Sequence, residues 1–257
     1  MILLLKKAFT VSTSGNSGMN LSLINKLKNI SEKDKEFLVQ KVFSSVSKKY
    51  DVMNDIMSMG LHRFWKSYFT DQIKITDKSI VLDLASGSGD IIKNLKKKSS
   101  GTFISLDANL KMIEEAKKKI GGKNVHFIKS YAENLPFKNK CFDVVTVSFG
   151  IRNFHNIDKA LKEVSRVLKN NGSFFCLEFS KINNKSFEKI YWLYSRLIPK
   201  YGRLFVKNEE AYSYLLKSIE NFPNQKELSS KILKAGLSKI EVYDIMNGLA
   251  SIHIAKR

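Results

Sequence analysis

The stretch Val81-Leu82-Asp83-Leu84-Ala85-Ser86-Gly87-Ser88-Gly89-Asp90 constrains the fold more than any other in this chain of 257 residues. An apolar strand runs directly into small residues and then into a helical pattern. Gly87 and Gly89 permit tight backbone angles and close approach of a ligand. Ala85, Gly87 and Gly89 are spaced two apart, so the loop is not the GxGxxG dinucleotide pattern, and no Gly-Lys-Ser/Thr phosphate loop occurs. Such a turn either closes a structural corner or cradles a ligand. The next apolar run, Thr102–Asp107, bears on the choice because it ends in a carboxylate 18 residues beyond Gly89. Asp107 there can accept hydrogen bonds from both hydroxyls of a ribose, or it can cap the following helix. The two features together favour a bound nucleoside.

Around this loop, apolar runs alternate with periodic basic helices. Strands are expected at Ser79–Leu84, Thr102–Asp107, Val125–Lys129, Phe142–Ser148 and Gly172–Phe179, with helices at Asp90–Lys98, Leu110–Ile120 and Ile157–Leu168. Helical patterns at Lys185–Leu197 and Ala211–Glu220 interrupt the rhythm within an insertion at about 184–222. Helix Gln225–Ala235 and strands Lys239–Tyr243 and Leu249–Ile254 close the chain. Alternation of this kind predicts an open, mostly parallel α/β sheet covered on both faces. Ahead of it, Phe37, Val39, Val42, Phe43 and Val46 recur at helical spacing, which predicts a helical lid over 32–72 before a core at 79–257.

The first 31 residues contain no Asp or Glu and carry Lys6, Lys7, Lys26 and Lys28 among Ser, Thr, Gly and Asn. A basic, hydroxyl-rich, acid-free segment fits a mitochondrial targeting peptide, although it has no Arg; the alternative is a disordered bacterial tail. The formal charge is +20. Lysine runs such as 96–98 and 117–119 fall at helix ends, where they face solvent and complement exposed carbonyls. The charge otherwise suits an anionic membrane surface or nucleic acid, and alone it decides encounter rates rather than chemistry. Cys141 and Cys176 form no CxxC, which argues against a disulfide scaffold or a cysteine-built zinc site.

Further stretches carry a family resemblance. Tyr50-Asp51-Val52-Met53-Asn54-Asp55 is followed by His62-Arg63-Phe64-Trp65-Lys66, then Ala132-Glu133-Asn134-Leu135-Pro136-Phe137, Ser148-Phe149-Gly150-Ile151-Arg152-Asn153 and Leu177-Glu178-Phe179-Ser180. Tyr212-Ser213-Tyr214-Leu215 and Phe222-Pro223-Asn224-Gln225 complete the series. In this order, from about Phe37 to the C-terminus, the chain resembles the ubiquinone/menaquinone-biosynthesis C-methyltransferases, and the D-x-A-x-G-x-G loop resembles that of class I S-adenosylmethionine-dependent enzymes. The resemblance implies a Rossmann-like seven-stranded sheet and S-adenosylmethionine held by Asp83, Ala85, Gly87, Ser88, Gly89, Asp107, Tyr131, Ala132 and Ser148. Asp107 would meet the ribose, Tyr131-Ala132 would lie along the adenine, and Ser148 would close the site from the fourth strand. The family usually has Asp or Asn where Tyr131 stands, so Tyr131 stacks or offers its hydroxyl instead, or Glu133 takes the polar role.

The resemblance also implies a ring carbon of a polyprenyl benzoquinol as methyl acceptor, activated by loss of a neighbouring hydroxyl proton; a naphthoquinol is the alternative. No metal is required, and the histidines are scattered at 62, 126, 155 and 253. Arg152 is the leading catalytic candidate. It follows a turn at the carboxyl end of a strand, where it either stabilises a developing phenolate or forms a structural ion pair with an acid such as Asp51. Tyr50, Asp51, Asn54 and His62 are expected to shape the acceptor pocket, with His62 either an alternative base or simply buried. The aromatic stretch Ile190–Tyr194 fits a channel for an isoprenoid tail, a homodimer face, or a peripheral membrane contact. A multi-subunit biosynthetic complex at the matrix side of the mitochondrial inner membrane is the expected setting, with the bacterial cytoplasm or membrane face as the alternative. An RNA methyltransferase is disfavoured because Ser-Phe-Gly-Ile-Arg stands where many base-nitrogen enzymes have Asn/Asp-Pro-Pro-aromatic, so no nucleic-acid partner is expected. A cofactor-binding scaffold with little turnover is the remaining rival.

Overall fold

The computed structural model describes residues 54, 55, 58, 60–186, 188, 189, 191, 193 and 209–257. Seven strands make one sheet: β1 (Ile80–Leu84), β2 (Thr102–Asp107), β3 (Val125–Lys129), β4 (Phe142–Ser148), β5 (Leu168–Phe179), β6 (Ser238–Ile245) and β7 (Ala250–Lys256). Their order is β3-β2-β1-β4-β5-β7-β6. Neighbours pair in parallel from β3 to β5, and β7 runs antiparallel to both β5 and β6. Helices are α1 (His62–Asp71), α2 (Asp90–Leu95), α3 (Leu110–Lys119), α4 (Ile157–Val167), α5 (Glu209–Glu220) and α6 (Gln225–Lys234).

Parallel strands buried on both faces read as near-continuous apolar runs, as β1 does. Successive side chains point to opposite faces. Val81 therefore packs in a cluster with Trp65, Phe69, Ile92 and Phe103, while Leu82 and Leu84 join a second cluster with Leu161, Val164 and Leu228. The first cluster draws on α1, α2, α3 and α5, the second on α4 and α6, so both faces are covered as the alternation predicts. Helix starts are set by asparagine caps: Asn109 accepts from Lys111 and Met112 amides, Asn156 from the Lys159 amide, and Asn224 forms a reciprocal box with Glu227.

Strands β2, β3 and β4 have the predicted bounds. β5 starts four residues earlier than expected, at Leu168. Lys169–Gly172 reads as a turn, and Asn171 has a left-handed φ of 65°, yet a register shift between Phe142 and Val144 lets Leu168 pair before the main ladder begins at Ser173. The lysines 96–98 leave α2 as a turn instead of extending it. Most of the predicted lid and targeting segment, and much of the insertion, lie outside the described residues.

Candidate active site

In this sheet order β1 is where the chain reverses direction, with β2 on one side and β4 on the other, so ligands belong beyond the carboxyl ends of β1 and β4. The loop after β1 is built for close approach there. Ala85 (φ 46°), Gly87 (φ 54°) and Gly89 (φ 83°) are all left-handed. A Cβ on Gly150, in the turn after β4, would stand 2.6 Å from the Ala85 Cβ, so the two loops touch only because position 150 has no side chain.

A cleft opens between these loops. Its walls include Ala85, Gly87, Asp107, Asn109, Met112, Tyr131, Ala132, Glu133, Phe149, Gly150, Asn153, Phe154 and His155. Asp107 is anchored by backbone amides: Gly87 donates to Oδ2 at 2.9 Å and Asn109 to Oδ1 at 2.8 Å. Burial pushes its carboxyl up to about 6 against those hydrogen bonds. The helix-capping alternative for Asp107 is overturned, because Asn109 is the N-cap of α3. That leaves a fixed carboxylate on the cleft wall.

A smaller pocket adjoins the same loop. Lys66, Asp83, Ala85, Ser86, Gly87, Ser88, Asp90, Ile91 and Ser148 line it. Asp83 is fully buried, with Oδ1 accepting from Thr146 Oγ1 at 2.7 Å. Asp83 Oδ2 and Ser148 Oγ are buried with no protein partner. Burial drives the Asp83 carboxyl up to about 7, partly offset by Thr146 and Lys66. Lys66 Nζ meets Asp90 Oδ2 at 2.8 Å, and Lys119 reaches both Asp90 and, at 3.3 Å, Ser88 Oγ.

The structure thus brings Ala85, Gly87, Asp107, Tyr131 and Ala132 to the main cleft and Asp83, Ser88 and Ser148 to the adjoining pocket. Gly89 lines neither; it starts α2, and a Cβ there would lie 2.6 Å from Ile120 Cδ1, so its role is helix packing. Glu133 lines the cleft, and its Oε1 accepts from the amides of His155 (2.6 Å) and Asn156 (3.1 Å).

Among the described members of the proposed catalytic set, Arg152, His62 and Asn54 line neither pocket. Arg152 is sealed under the β4 turn, its Nη1 donating to Glu178 Oε1 (2.5 Å) and Phe149 O (2.8 Å), with the Phe179 ring 5.6 Å away. It forms a buried ion pair with Glu178; Asp51, the acid named from sequence, lies outside the described residues. His62 is buried on α1, its Nδ1 3.2 Å from Ser58 Oγ and 3.4 Å from Asp55 Oδ1, and it lines neither pocket. Asn54 is buried, its carbonyl accepting from Ser58. Tyr50 and Asp51 lie outside the described residues. Sequence reasoning passed over Lys66, Asn153 and His155 as site residues. Lys66 and Asn153 stood inside recognised motifs, and His155 follows two residues behind one, but nothing in local pattern shows which way a side chain faces.

A seven-stranded sheet in this order, a small-residue loop after β1 and a backbone-held carboxylate closing β2 define a class I S-adenosylmethionine-dependent methyltransferase. Solved methyltransferases share the fold: one from Thermotoga maritima is 17% identical with a TM-score of 0.61, covering 85% of this chain and 99% of its own. Another, from Aquifex aeolicus, is 18% identical with a TM-score of 0.56, covering 79% and 97%. The chain belongs to the ubiE/COQ5 methyltransferase family, whose model matches residues 29–257. The protein named ubiquinone/menaquinone biosynthesis C-methyltransferase UbiE in Rickettsia bellii is 46% identical over 238 residues, 89% of this chain and 96% of that one. Its namesake in Rickettsia massiliae is 46% identical over 239 residues, with the same shares covered. The chain is an S-adenosylmethionine-dependent C-methyltransferase.

Proposed function

We propose that the protein methylates a ring carbon of a polyprenyl benzoquinol in ubiquinone biosynthesis. The observation that carries this reading is the paired site: a cleft walled by Asp107, next to a pocket in which Asp83 Oδ2 and Ser148 Oγ are buried without protein partners. Buried polar atoms are almost always hydrogen-bonded, so these two await a polar ligand group. Asp107 takes the ribose hydroxyls. Asp83, Ser148 and Lys66, which line the adjoining pocket, would hold the zwitterionic methionine end of the cofactor. Bound S-adenosylmethionine supplies a methyl group made electrophilic by its sulfonium. The chain's own part is to position donor and acceptor in line and to exclude water. Arg152 serves through the turn it braces, because its guanidinium faces Glu178 and not the cleft.

The benzoquinol is favoured over a naphthoquinol by the acid-free basic segment at 1–31, nearly all of it ahead of the family match at 29, which we read as a mitochondrial leader. The names of the relatives embrace both acceptors. No helix among the described residues is long and apolar enough to cross a membrane. A polyprenyl tail resides in the bilayer, so we place the enzyme peripherally on the inner membrane. Purified protein incubated with methyl-labelled cofactor should label a demethylated benzoquinol. Label in the naphthoquinol alone moves the assignment to menaquinone, and label in neither overturns it. A fluorescent protein fused behind residues 1–31 should enter mitochondria; a cytosolic signal removes the leader reading.

A further inference from the structure

Purine recognition needs more than the ribose anchor, and the cleft shows where the rest must come from. Several of its side-chain acceptors already accept hydrogen bonds within the protein. Asp107 accepts from Gly87 and Asn109, Asn109 Oδ1 from Lys111 and Met112, Glu133 Oε1 from His155 and Asn156, and Asn153 Oδ1 from Tyr214 Oη at 3.0 Å. His155 differs from these. Its Nε2 is buried and has no hydrogen-bond partner, although the residue forms part of the cleft wall. Its Nδ1 lies 3.5 Å from Glu133 Oε1, a carboxylate that favours the proton on Nδ1 and so leaves Nε2 as a lone-pair acceptor. The Tyr131 ring meets the imidazole edge-on, centroids 5.3 Å apart, and holds it in the wall. Leu106, Met112 and Phe149 give the same cleft the apolar surface a purine face requires.

We propose that His155 Nε2 accepts a hydrogen bond from the exocyclic amino group of the cofactor's adenine, making His155 the residue that selects a 6-aminopurine over a 6-oxopurine. The proposal rests on the cofactor reading of this cleft and adds the base-reading contact to it. Tyr131 then acts as the imidazole's support rather than as the polar partner. A 6-oxo group turns the donor into an acceptor and sets two lone pairs against each other, leaving Nε2 buried and unsatisfied.

The test is calorimetric and independent of turnover: the whole protein is titrated with S-adenosylhomocysteine and with its deaminated counterpart, S-inosylhomocysteine. The unaltered protein should bind the adenosyl compound about tenfold more tightly, or better. His155→Phe should lose about that factor for the adenosyl compound and bind both ligands alike. His155→Gln, whose amide oxygen can accept, should keep part of the discrimination, and Tyr131→Phe should keep all of it. Discrimination that survives His155→Phe, or that disappears in Tyr131→Phe alone, overturns the proposal. So does an equal loss for both ligands in His155→Phe, which would mean a damaged cleft. If the unaltered protein binds neither compound, the cofactor reading itself fails, a result distinct from binding without discrimination.

Discussion

Lys66 on α1 and Asp90 at the start of α2 form an ion pair with Nζ 2.8 Å from Oδ2, and Lys119 of α3 approaches the other carboxylate oxygen. One carboxylate therefore ties three helices to the cofactor loop. Burial raises the Asp90 carboxyl, but Lys66 and Lys119 outweigh it and hold the group well below the usual carboxylate range. A depressed folded value means stability that is present above the unfolded value near 4 and is lost as pH falls toward the folded one. Lys66→Met should thus cost about 2 kcal/mol at pH 7, with the deficit shrinking below about pH 4. Urea unfolding at pH 7 and pH 3 reads both quantities. A deficit that is the same at both would mean lost packing rather than a lost pair.

Asp83 should behave in the opposite sense. Burial lifts its carboxyl to about 7 in the protein without ligand, so stability is greatest below the unfolded value near 4 and falls as pH rises through 7. A rise of that size corresponds to a penalty on the order of 4 kcal/mol for holding the charge. Asp83→Asn should raise the melting temperature of the ligand-free protein at pH 8 and leave it little changed at pH 3, below the unfolded value. A cofactor ammonium beside Oδ2 would favour the ionised form, so binding near pH 7 should release protons. Calorimetry in buffers of different ionisation enthalpy detects that release, and Asp83→Asn should abolish it. Proton release undiminished in the variant would move the linkage to another group, Asp107 first.

Arg152 and Glu178 are both essentially inaccessible to solvent, and burial raises the Glu178 carboxyl while Arg152 works to keep it charged. Removing one partner strands the other. Arg152→Met should cost about 3–5 kcal/mol, and Arg152→Met with Glu178→Leu should recover most of it. Turnover of the double variant, measured at low temperature, separates bracing from chemistry: a folded double variant that still transfers methyl confirms a strut. An Arg152→Met protein as stable as the parent but devoid of turnover would place the guanidinium on the acceptor after all.

The core of the site was legible because it is local. Val81–Asp90 and Thr102–Asp107 each announce strand, turn and helix within a few residues, and strand pairing then puts Gly87 on the Asp107 carboxylate. The pairing of Arg152 was not legible, because Glu178 is 26 residues away on β5 and no spacing rule says which acid will face a buried cation. At Gly89 the backbone φ of 83° favours glycine, while its neighbour Ile120 at the end of α3 is a contact across helices that local pattern does not show. His155 escaped notice since a histidine just past a motif has no signature until its neighbours, Glu133 and Tyr131, are in place. The early start of β5 followed from register, which the turn-like composition of Lys169–Gly172 concealed.

Gly150 gives the sharpest link between a single atom and the reaction. Its missing Cβ lets the turn after β4 rest against Ala85, and a methyl group there would lie 2.6 Å from the Ala85 Cβ and 3.3 Å from Val147 Cγ2. Val147 is locked within the sheet and Ala85 holds a left-handed backbone, so neither yields cheaply. The loop carrying Ala85 and Gly87 must therefore move away from Phe149 and Gly150, widening the cleft that both loops line. Gly150→Ala should lower stability by about 1–3 kcal/mol and weaken cofactor binding at least as much as it lowers stability. Gly89→Ala, which clashes with Ile120 on the far side of the loop, should cost comparable stability while weakening cofactor binding less. Calorimetric affinities for the two variants decide the point: equal losses at both positions would show that general loosening of the loop, and not the Ala85–Gly150 contact, governs the width of the cleft.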